Sequence, residues 1–193
     1  MNIAIVKYNA GNIQSVSFCL NRLGISPVIT DNPEELQKAD KVIFPGVGEA
    51  STAMKYLREQ NLDKLIVSLK QPVLGICLGM QLMCSRSEEN DTDCLNIFDV
   101  EVKKFPDTKK VPHMGWNTIF NFKSELFKGI TENDFMYFVH SYYAPASKYS
   151  ICNTDYNFEY SSGLHKNNFY GLQFHPEKSG KSGEKILENF INL

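Results

Sequence analysis

The fold is decided by the stretch Pro72-Val73-Leu74-Gly75-Ile76-Cys77-Leu78-Gly79-Met80-Gln81. Its apolar start predicts a buried strand, and the residues from Leu78 to Met83 are compatible with a helix. Cys77 stands between them, with a glycine two positions before it and another two positions after it. This spacing is typical of a nucleophile elbow, a sharp strand-to-helix turn in which a Cβ at either glycine would clash. The elbow lifts the cysteine out of the sheet, and the helix N-terminus favours a thiolate. The alternative is a buried structural cysteine in a glycine-rich turn.

The composition is that of an ordinary globular chain. Its 193 residues are 42% hydrophobic and 22% charged, with a net charge of −2, so we expect one domain over residues 1–193 with a sizeable core. No run of Lys or Arg exceeds two residues, which argues against nucleic-acid binding. The first residues resemble a strand rather than a signal peptide, and no apolar stretch is as long as a membrane span. Five cysteines without framework spacing predict a reducing compartment, and the expectation is a cytoplasmic enzyme.

Strands and helices alternate in the first half of the chain. Apolar runs predict strands at Ile3–Val6, Pro27–Thr30 and Val42–Phe44, and helical periodicity falls between them at 13–23 and 31–38. This order predicts a mostly parallel α/β sheet with helices on both faces. A turn over Tyr8-Asn9-Ala10-Gly11-Asn12 is expected after the first strand.

A second glycine-containing loop, Pro45-Gly46-Val47-Gly48, follows the third strand. It is not a phosphate-binding Walker A loop, because no Gly-Lys-Ser/Thr comes after it. Helices at Ala50–Glu59 and Leu62–Leu69 then lead to the strand before Cys77. Ligands of open α/β sheets bind at the carboxyl ends of the strands, so we expect this loop and Cys77 to face each other.

The sequence pattern of the second half of the chain is typical of short antiparallel strands. After a polar stretch, Ser87–Asp93, that is predicted to be a surface loop, turn signals separate β-like runs that we expect to extend the sheet. These runs are Val100–Phe105, Asn117–Phe120, Phe135–Val139, Ser150–Cys152 and Phe169–Phe174. A final helix is predicted at about Ser182–Phe190.

A nucleophilic cysteine needs a base, and His175 is the best candidate among four histidines. It ends an apolar run, and Glu177 lies two positions on, where its carboxylate can orient the ring if the segment is extended. Such a pair alone is more often a surface pair, but the elbow cysteine favours a catalytic role. His140 is interpreted as a structural or pocket-wall residue, and His113 and His165 as structural. The other cysteines lack paired spacing, so no metal site is predicted.

These motifs together resemble the class I (triad) glutamine amidotransferases, a single-domain fold similar to flavodoxin. Further stretches resemble the glutaminase subunits of imidazole glycerol phosphate synthases, and the Pro-His-Met-Gly-Trp-Asn stretch is the most specific to them. The matching segments are Gly75–Gln81, Phe174–Glu177, Pro45–Gly48, Arg86–Glu89, Pro112–Asn117, Tyr137–Tyr142 and His175–Ser179.

The resemblance implies a role for each matching residue. Cys77 would be the nucleophile of glutamine hydrolysis, His175 its proton carrier and Glu177 the group that orients the histidine. The backbone N–H groups of Val47 and Leu78 would form the oxyanion hole. Positions that line the glutamine pocket in the family are Gly48, Gln81, Ser141 and Tyr142. No cofactor and no metal is implied.

The family also implies a partner. Ammonia released from glutamine would pass to a (β/α)₈-barrel cyclase subunit in a heterodimer, which makes imidazole glycerol phosphate and aminoimidazole carboxamide ribonucleotide in histidine biosynthesis. Positions that face this partner are Asn12, Trp116, Asn117, Tyr137 and Lys178.

Three alternatives remain open from the sequence alone. Close paralogues of these subunits supply ammonia to a synthase of surface-polysaccharide sugars. A cysteine peptidase or esterase on the same fold would also use an elbow cysteine with a histidine. A non-catalytic α/β interaction module is the third, and it is disfavoured by the complete triad.

Overall fold

The alternating strands and helices of the first half form as the sequence predicts, with ends that shift by one or two residues. The computed structural model describes residues 1–9, 12–107 and 110–193. In chain order the elements are β1 (Ile3–Val6), α1 (Ile13–Arg22), β2 (Val28–Thr30), α2 (Pro33–Lys38), β3 (Lys41–Gly46), α3 (Ala50–Glu59), α4 (Leu62–Ser68), β4 (Val73–Cys77) and α5 (Leu78–Leu82). Of the turn predicted after β1, Ala10 and Gly11 lie outside the described residues.

The second half contains nine strands and a long final helix within the described residues. They are β5 (Cys84–Ser87), β6 (Thr92–Asp93), β7 (Phe98–Lys104), β8 (His113–Thr118), β9 (Phe135–His140), β10 (Tyr142–Tyr143), β11 (Ser150–Asp155), β12 (Glu159–Lys166), β13 (Phe169–Leu172) and α6 (Gly180–Asn192). Short 3₁₀ turns lie at Glu89–Asp91, Glu125–Phe127 and Pro176–Lys178.

A seven-stranded sheet in the order β11-β12-β13-β4-β3-β1-β2 lies at the centre. Strands β2, β1, β3, β4 and β13 run parallel, and β12 and β11 continue the sheet antiparallel. The fold class is therefore confirmed, a mostly parallel α/β sheet with an antiparallel extension in the second half. The extension is smaller than expected, because β13 is parallel to β4 and the strands between residues 84 and 143 form two separate sheets, β10-β7-β5-β6 and β8-β9.

The sheet separates two apolar cores, and β1 shows how. Its side chains alternate, so that Ile3 and Ile5 face α1 and α6, whereas Ala4 and Val6 face α3 and α4. Because both faces are covered, the strand is an uninterrupted apolar run instead of an alternating one. None of the helices in the described ranges is long and apolar enough to cross a membrane.

The segment Ser87–Asp93 is not simply a surface loop, as its polar composition had suggested. Ser87 ends β5, and Thr92 begins β6; both side chains are buried. The Ser87 hydroxyl accepts a hydrogen bond from the Glu89 backbone, and the Thr92 hydroxyl donates to the Glu89 carbonyl. These polar side chains are satisfied by local bonds to the backbone, so their burial leaves no apolar periodicity in the sequence.

Candidate active site

The turn from β4 into α5 is built as the glycine spacing predicts. Cys77 has φ 54° and ψ −110°, a region in which a non-glycine residue is strained. A Cβ at Gly79 would lie 1.8 Å from the Phe44 carbonyl oxygen, and one at Gly75 would lie 2.9 Å from the Gly79 backbone. Only glycine therefore permits α5 to pack this closely on β3 and β4. The strain at Cys77 places its side chain at the mouth of the site.

Strand β13 brings His175 to Cys77. It pairs with β4 so that Leu172 lies opposite Ile76, and the two chains leave the sheet at the same edge. His175 is fully buried, and its Nδ1 lies 2.8 Å from Oε1 of Glu177. The segment is not extended throughout, as the sequence argument assumed, because a 3₁₀ turn begins at Pro176. The turn nevertheless brings the carboxylate onto the ring.

Backbone contacts hold the histidine in place. The His175 N–H donates to the Tyr137 carbonyl at 2.9 Å, and the Ser179 hydroxyl donates to the His175 carbonyl at 2.6 Å. The ring can therefore rotate only about its own side-chain torsions, which the bond to Glu177 restricts further. A general base needs a second residue that fixes the orientation of its ring, and Glu177 is placed to do so here.

The electrostatics of the site favour a charged imidazole. Burial alone lowers the pKa of His175, but the negative charges of Cys77 and Glu177 outweigh it and raise the pKa to about 10. Nε2 is buried and has no hydrogen-bond partner among the described residues, and Cys77 is the neighbour whose charge contributes most to raising this pKa. The arrangement suits a thiolate–imidazolium pair.

Asn12 contacts both His175 and Glu177, which the sequence did not reveal. The residue is half-buried at the start of α1 with φ 75°, and its amide nitrogen donates to Oε1 of Glu177 and lies 3.3 Å from Nδ1 of His175. It was predicted to face a partner. That stays a prediction; the structure adds that its side chain supplies a second donor to the Glu177 carboxylate, which is bonded to His175.

Gln173 is a second residue that the sequence analysis missed. It is fully buried; its amide nitrogen lies 3.8 Å from the Cys77 sulfur, and its amide oxygen accepts from Nε2 of Gln81 at 2.9 Å. Gln81 also donates to the Tyr142 carbonyl at 3.0 Å. Its place in the sequence could have predicted this, because Gln173 stands two residues before His175, and residues i and i+2 of an extended segment project to the same side.

A pocket of about 290 Å³ opens beside Cys77, near the lower end of the usual range of about 300–1,000 Å³ for small-molecule sites. All six residues predicted for the oxyanion hole and glutamine pocket line it, together with the nucleophile and four others. The lining is Val47, Gly48, Cys77, Leu78, Gln81, Glu89, Pro112, Val139, His140, Ser141 and Tyr142. The structure thus places His140 in the pocket wall.

Glu89 is the carboxylate in this lining. One of its oxygens accepts a hydrogen bond from the Ala50 backbone N–H at 2.7 Å, at the start of α3. Burial raises its pKa, with Glu49 adding to the effect and the bond from Ala50 opposing it. As a carboxyl group in the lining, Glu89 could pair with a cationic group of a ligand, and such a charge would oppose the rise in its pKa.

The remaining predicted partner residues lie near one hairpin, β8–β9. Trp116 and Phe135 are exposed over 56% and 55% of their surface, and Trp116 packs edge-on against Tyr137 with ring centres 5.8 Å apart. We call these three residues the aromatic ribbon. Lys178 is exposed on the turn after His175. Asn117 is half-buried, and its amide donates inward to the Asp155 carbonyl at 2.9 Å.

Comparison with known proteins agrees with this geometry. The model of the family "Glutamine amidotransferase class-I" matches residues 4–193. The chain is 61% identical to imidazole glycerol phosphate synthase subunit HisH of Bacteroides thetaiotaomicron over 100% of both chains. It is 44% identical to the subunit of the same name from Idiomarina loihiensis, over 100% of this chain and 98% of that one.

Solved structures share the fold at low identity. A glutamine amidotransferase crystal structure superposes with a TM-score of 0.77 at 16% identity, covering 98% of this chain and 97% of that one. Another, from Thermotoga maritima, has a TM-score of 0.66 at 16% identity and covers 99% and 82%. At this identity the likeness concerns the fold alone. The family model and the relatives at 44–61% identity show more than the fold. The chain belongs to the class I glutamine amidotransferases and, within that family, groups with the HisH subunits of imidazole glycerol phosphate synthase.

Proposed function

We propose that the chain is the glutaminase subunit of an imidazole glycerol phosphate synthase, and that Cys77, His175 and Glu177 are its catalytic triad. The observation that carries the proposal is the convergence of a strained elbow cysteine with a buried histidine–carboxylate pair, 2.8 Å apart, beside a pocket of amino-acid size. A structural cysteine would need neither the strain nor the pair.

The hydrolysis proceeds in two halves. The Cys77 thiolate attacks the carboxamide carbon of glutamine and forms a C–S bond; the C–N bond then breaks, and His175 gives its proton to the departing nitrogen, which leaves as ammonia. Water attacks the resulting thioester while His175 takes its proton, the C–S bond breaks, and glutamate leaves. Glu177 stabilises the imidazolium that is present before the first transfer and again after the second.

The oxyanion of each tetrahedral intermediate is held by backbone N–H groups. Leu78 is the first residue of α5, where N–H groups have no partner within the helix. Val47 lies between two glycines in the loop after β3, across the pocket. Removal of one such donor typically lowers the rate by about 10²–10³.

Substrate recognition follows from the pocket wall. Gln81 is fixed by Tyr142 and Gln173, and together with Gly48, Ser141 and Tyr142 it surrounds the substrate chain. The α-ammonium group of glutamine needs a negative partner, and Glu89 supplies one in the lining. We therefore add Glu89 to the glutamine-binding residues.

The ammonia acceptor is a barrel cyclase that forms a heterodimer with this chain. The aromatic ribbon supports this surface as the docking site, because exposed aromatic residues on a rigid hairpin are typical of interface cores. The ribbon also adjoins the triad, since Tyr137 accepts from the His175 N–H and its own N–H donates to Ser179. Trp116, Tyr137 and Lys178 are the residues we assign to this contact, with Asn12 and Asn117 at its inner border.

The proposal extends to the domain organisation and the compartment of the protein. The chain acts as one domain, because the central sheet joins strands from β1 to β13 and α6 returns to pack on the same core as β1. It works in the cytoplasm, because all five cysteines are free thiols, as is usual in a reducing compartment.

The test is ammonia release from glutamine by the chain alone and then with the histidine-pathway cyclase and its nucleotide ligand. Stimulation by the cyclase that disappears in Cys77→Ala, but persists in Cys94→Ala at a half-buried cysteine outside the pocket, is the expected result. Glutaminase activity that ignores the cyclase would point to another acceptor, such as a polysaccharide-sugar synthase. Absence of glutaminase activity with every acceptor would overturn the proposal.

A further inference from the structure

The Pro112–Asn117 stretch, which marks the subfamily in the sequence, supplies no group to the triad. Its His113 is nevertheless fully enclosed, 3% exposed, between the rings of Phe138 and Tyr156. An imidazole buried among aromatic rings must use its nitrogens in hydrogen bonds, since an unsatisfied buried polar atom is costly. The bonds that it makes lead from the aromatic ribbon's hairpin to the glutamine pocket.

Four polar side chains form an unbroken series. Asn117 Nδ2 lies 3.4 Å from His113 Nε2, and His113 Nδ1 lies 3.1 Å from the Tyr160 hydroxyl. The same hydroxyl lies 3.2 Å from His140 Nε2, and His140 Nδ1 lies 2.7 Å from the Tyr142 carbonyl oxygen. Tyr160 and His140 are 0% and 6% exposed, so water does not compete for these groups.

The carbonyl at the inner end fixes the direction of every proton in the series. A carbonyl only accepts, so His140 must carry its proton on Nδ1. Burial lowers the pKa of His140 to about 3, although the bond to the Tyr142 carbonyl opposes this, so the ring is neutral at physiological pH. Its Nε2 is then an acceptor, to which the Tyr160 hydroxyl donates.

The remaining protons follow. With its hydrogen given to His140, the Tyr160 oxygen accepts from His113, which must also carry its proton on Nδ1. His113 Nε2 is then an acceptor for the amide of Asn117, whose own oxygen accepts from the Thr118 N–H at 2.8 Å. The reverse direction fails, because it would leave two lone pairs facing each other between His140 and the Tyr142 carbonyl.

We propose that Asn117, His113, Tyr160 and His140 are positioning residues for glutamine binding, a directed hydrogen-bond chain that holds the Tyr142 carbonyl and the adjoining pocket wall in place. The proposal rests on the proposed function, because it assigns this chain to the same pocket. Gln81 donates to the same carbonyl, so two side chains hold this part of the pocket wall. Within the described contacts the series makes no bond to Cys77, His175 or Glu177, so it acts on substrate binding instead of proton transfer.

The decisive variant is Tyr160→Phe, which keeps the ring and removes the hydroxyl that joins the two histidines. With the cyclase complex, we expect the KM for glutamine to rise roughly tenfold, as for loss of buried hydrogen bonds, and kcat to change by less than about threefold. Tyr156→Phe is the matched control, because its ring stacks on His113 at 3.9 Å but its hydroxyl donates to the Lys110 carbonyl outside the series. It should leave KM within about twofold.

Nitrogen-15 spectra of the histidine rings provide a readout that a purely structural role would not move. We expect wild-type His113 and His140 to be neutral and protonated on Nδ1, and His140 to become a mixture of tautomers in Tyr160→Phe and in His113→Phe. A His140 protonated on Nε2 in the wild type would overturn the proposal. So would a Tyr160→Phe enzyme with an unchanged KM, or one that loses only kcat. If Tyr160→Phe does not fold, the KM of His113→Phe and the protonation state of His140 in the wild-type spectrum test the proposal. A wild-type chain without glutaminase activity would instead refute the proposed function and leave the spectra to test the chain.

Discussion

The backbone of Gly79 rests on the carbonyl oxygen of Phe44, so closely that a Cβ at Gly79 would come within 1.8 Å of it. This contact joins the first turn of α5 to the end of β3, and it sets how near the elbow and the Val47 loop can approach. Neither atom belongs to a flexible side chain, so an added methyl group could be accommodated only by moving one of the two elements.

We therefore expect Gly79→Ala to destabilise the protein by about 3 kcal/mol or more and to abolish glutaminase activity. Gly75→Ala, whose Cβ would be 2.9 Å from backbone atoms, should cost less. Gly24→Ala is the control, because its Cβ meets nothing within 4 Å and only its φ of +79° opposes the change, at about 1 kcal/mol. Urea unfolding midpoints measure the stability of the three variants. Equal midpoints for Gly79→Ala and Gly24→Ala would show that the contact with Phe44 does not limit the Gly79 position.

Asn12→Ala removes a donor from the Glu177 carboxylate. Hydrogen bonds to charged groups contribute about 1.5–3 kcal/mol, so we expect kcat to fall roughly tenfold or more with little change in KM. Asn21→Ala, an exposed residue of the same helix, should behave as wild type. A rise in KM without loss of kcat would place Asn12 in substrate or partner binding instead.

Glu89→Gln removes the negative charge from the pocket lining. We expect the KM for glutamine to rise about tenfold or more, the usual effect of losing a charge-assisted contact, while the affinity for glutaramic acid, which lacks the α-ammonium group, changes little. Glu88→Gln is the matched control, since the Glu88 carboxylate accepts from the Lys104 N–H and pairs with Lys103 away from the pocket. Equal losses of affinity for both compounds would show that Glu89 acts only by capping α3.

His140 makes the stability of the fold depend on pH. Its pKa is lowered in the folded state to about 3 from 6.5, so below pH 6.5 the unfolded chain binds a proton that the folded chain does not. The free energy of unfolding should therefore fall as pH decreases from 6.5 towards 3, by up to about 1.4 kcal/mol per pH unit from this residue. His140→Gln should flatten the profile over this window, and His165→Gln should not. Parallel profiles for wild type and His140→Gln would contradict the assignment.

The elbow could be predicted from sequence because its cause is local. A Cβ at Gly75 would meet the Gly79 backbone four residues away, so this part of the pattern is visible in any window that contains it. The same holds for Glu177 and His175, which are close in the chain. The roles of Gly75, His175 and Glu177 thus needed no knowledge of the rest of the fold. The closer clash at Gly79 is with the Phe44 carbonyl of β3 and depends on how the strands are ordered.

Strand β12 escaped the sequence analysis for the opposite reason. Ser161 and Ser162 lie in its middle and are fully buried, yet they are polar, so no apolar alternation marks the strand. Their hydroxyls are satisfied by distant partners, among them Ser150, Cys152 and the Pro145 carbonyl. Burial of this kind depends on tertiary contacts, which propensity and periodicity do not contain.

The contact between Asn12 and Glu177 was missed because it joins the two ends of the sequence. Its residue type is common at helix starts, and the family resemblance suggested a place at the partner surface. Only the order of strands in the sheet, with β1 and β13 on either side of β3 and β4, brings α1 over the turn after His175. Long-range pairing of this kind follows from topology.

The parallel pairing of β4 with β13 has a consequence for how such enzymes diversify. Cys77 and His175 are separated only by the spacing of two adjacent strands, so the long segment between them can gain or lose residues in its surface turns without moving either one. A slip of β13 by a single residue, in contrast, would turn every side chain of that strand to the other face. Selection can thus lengthen or shorten the surface turns of this segment, which also carries the aromatic ribbon, while the placement of Cys77 beside His175 is inherited intact.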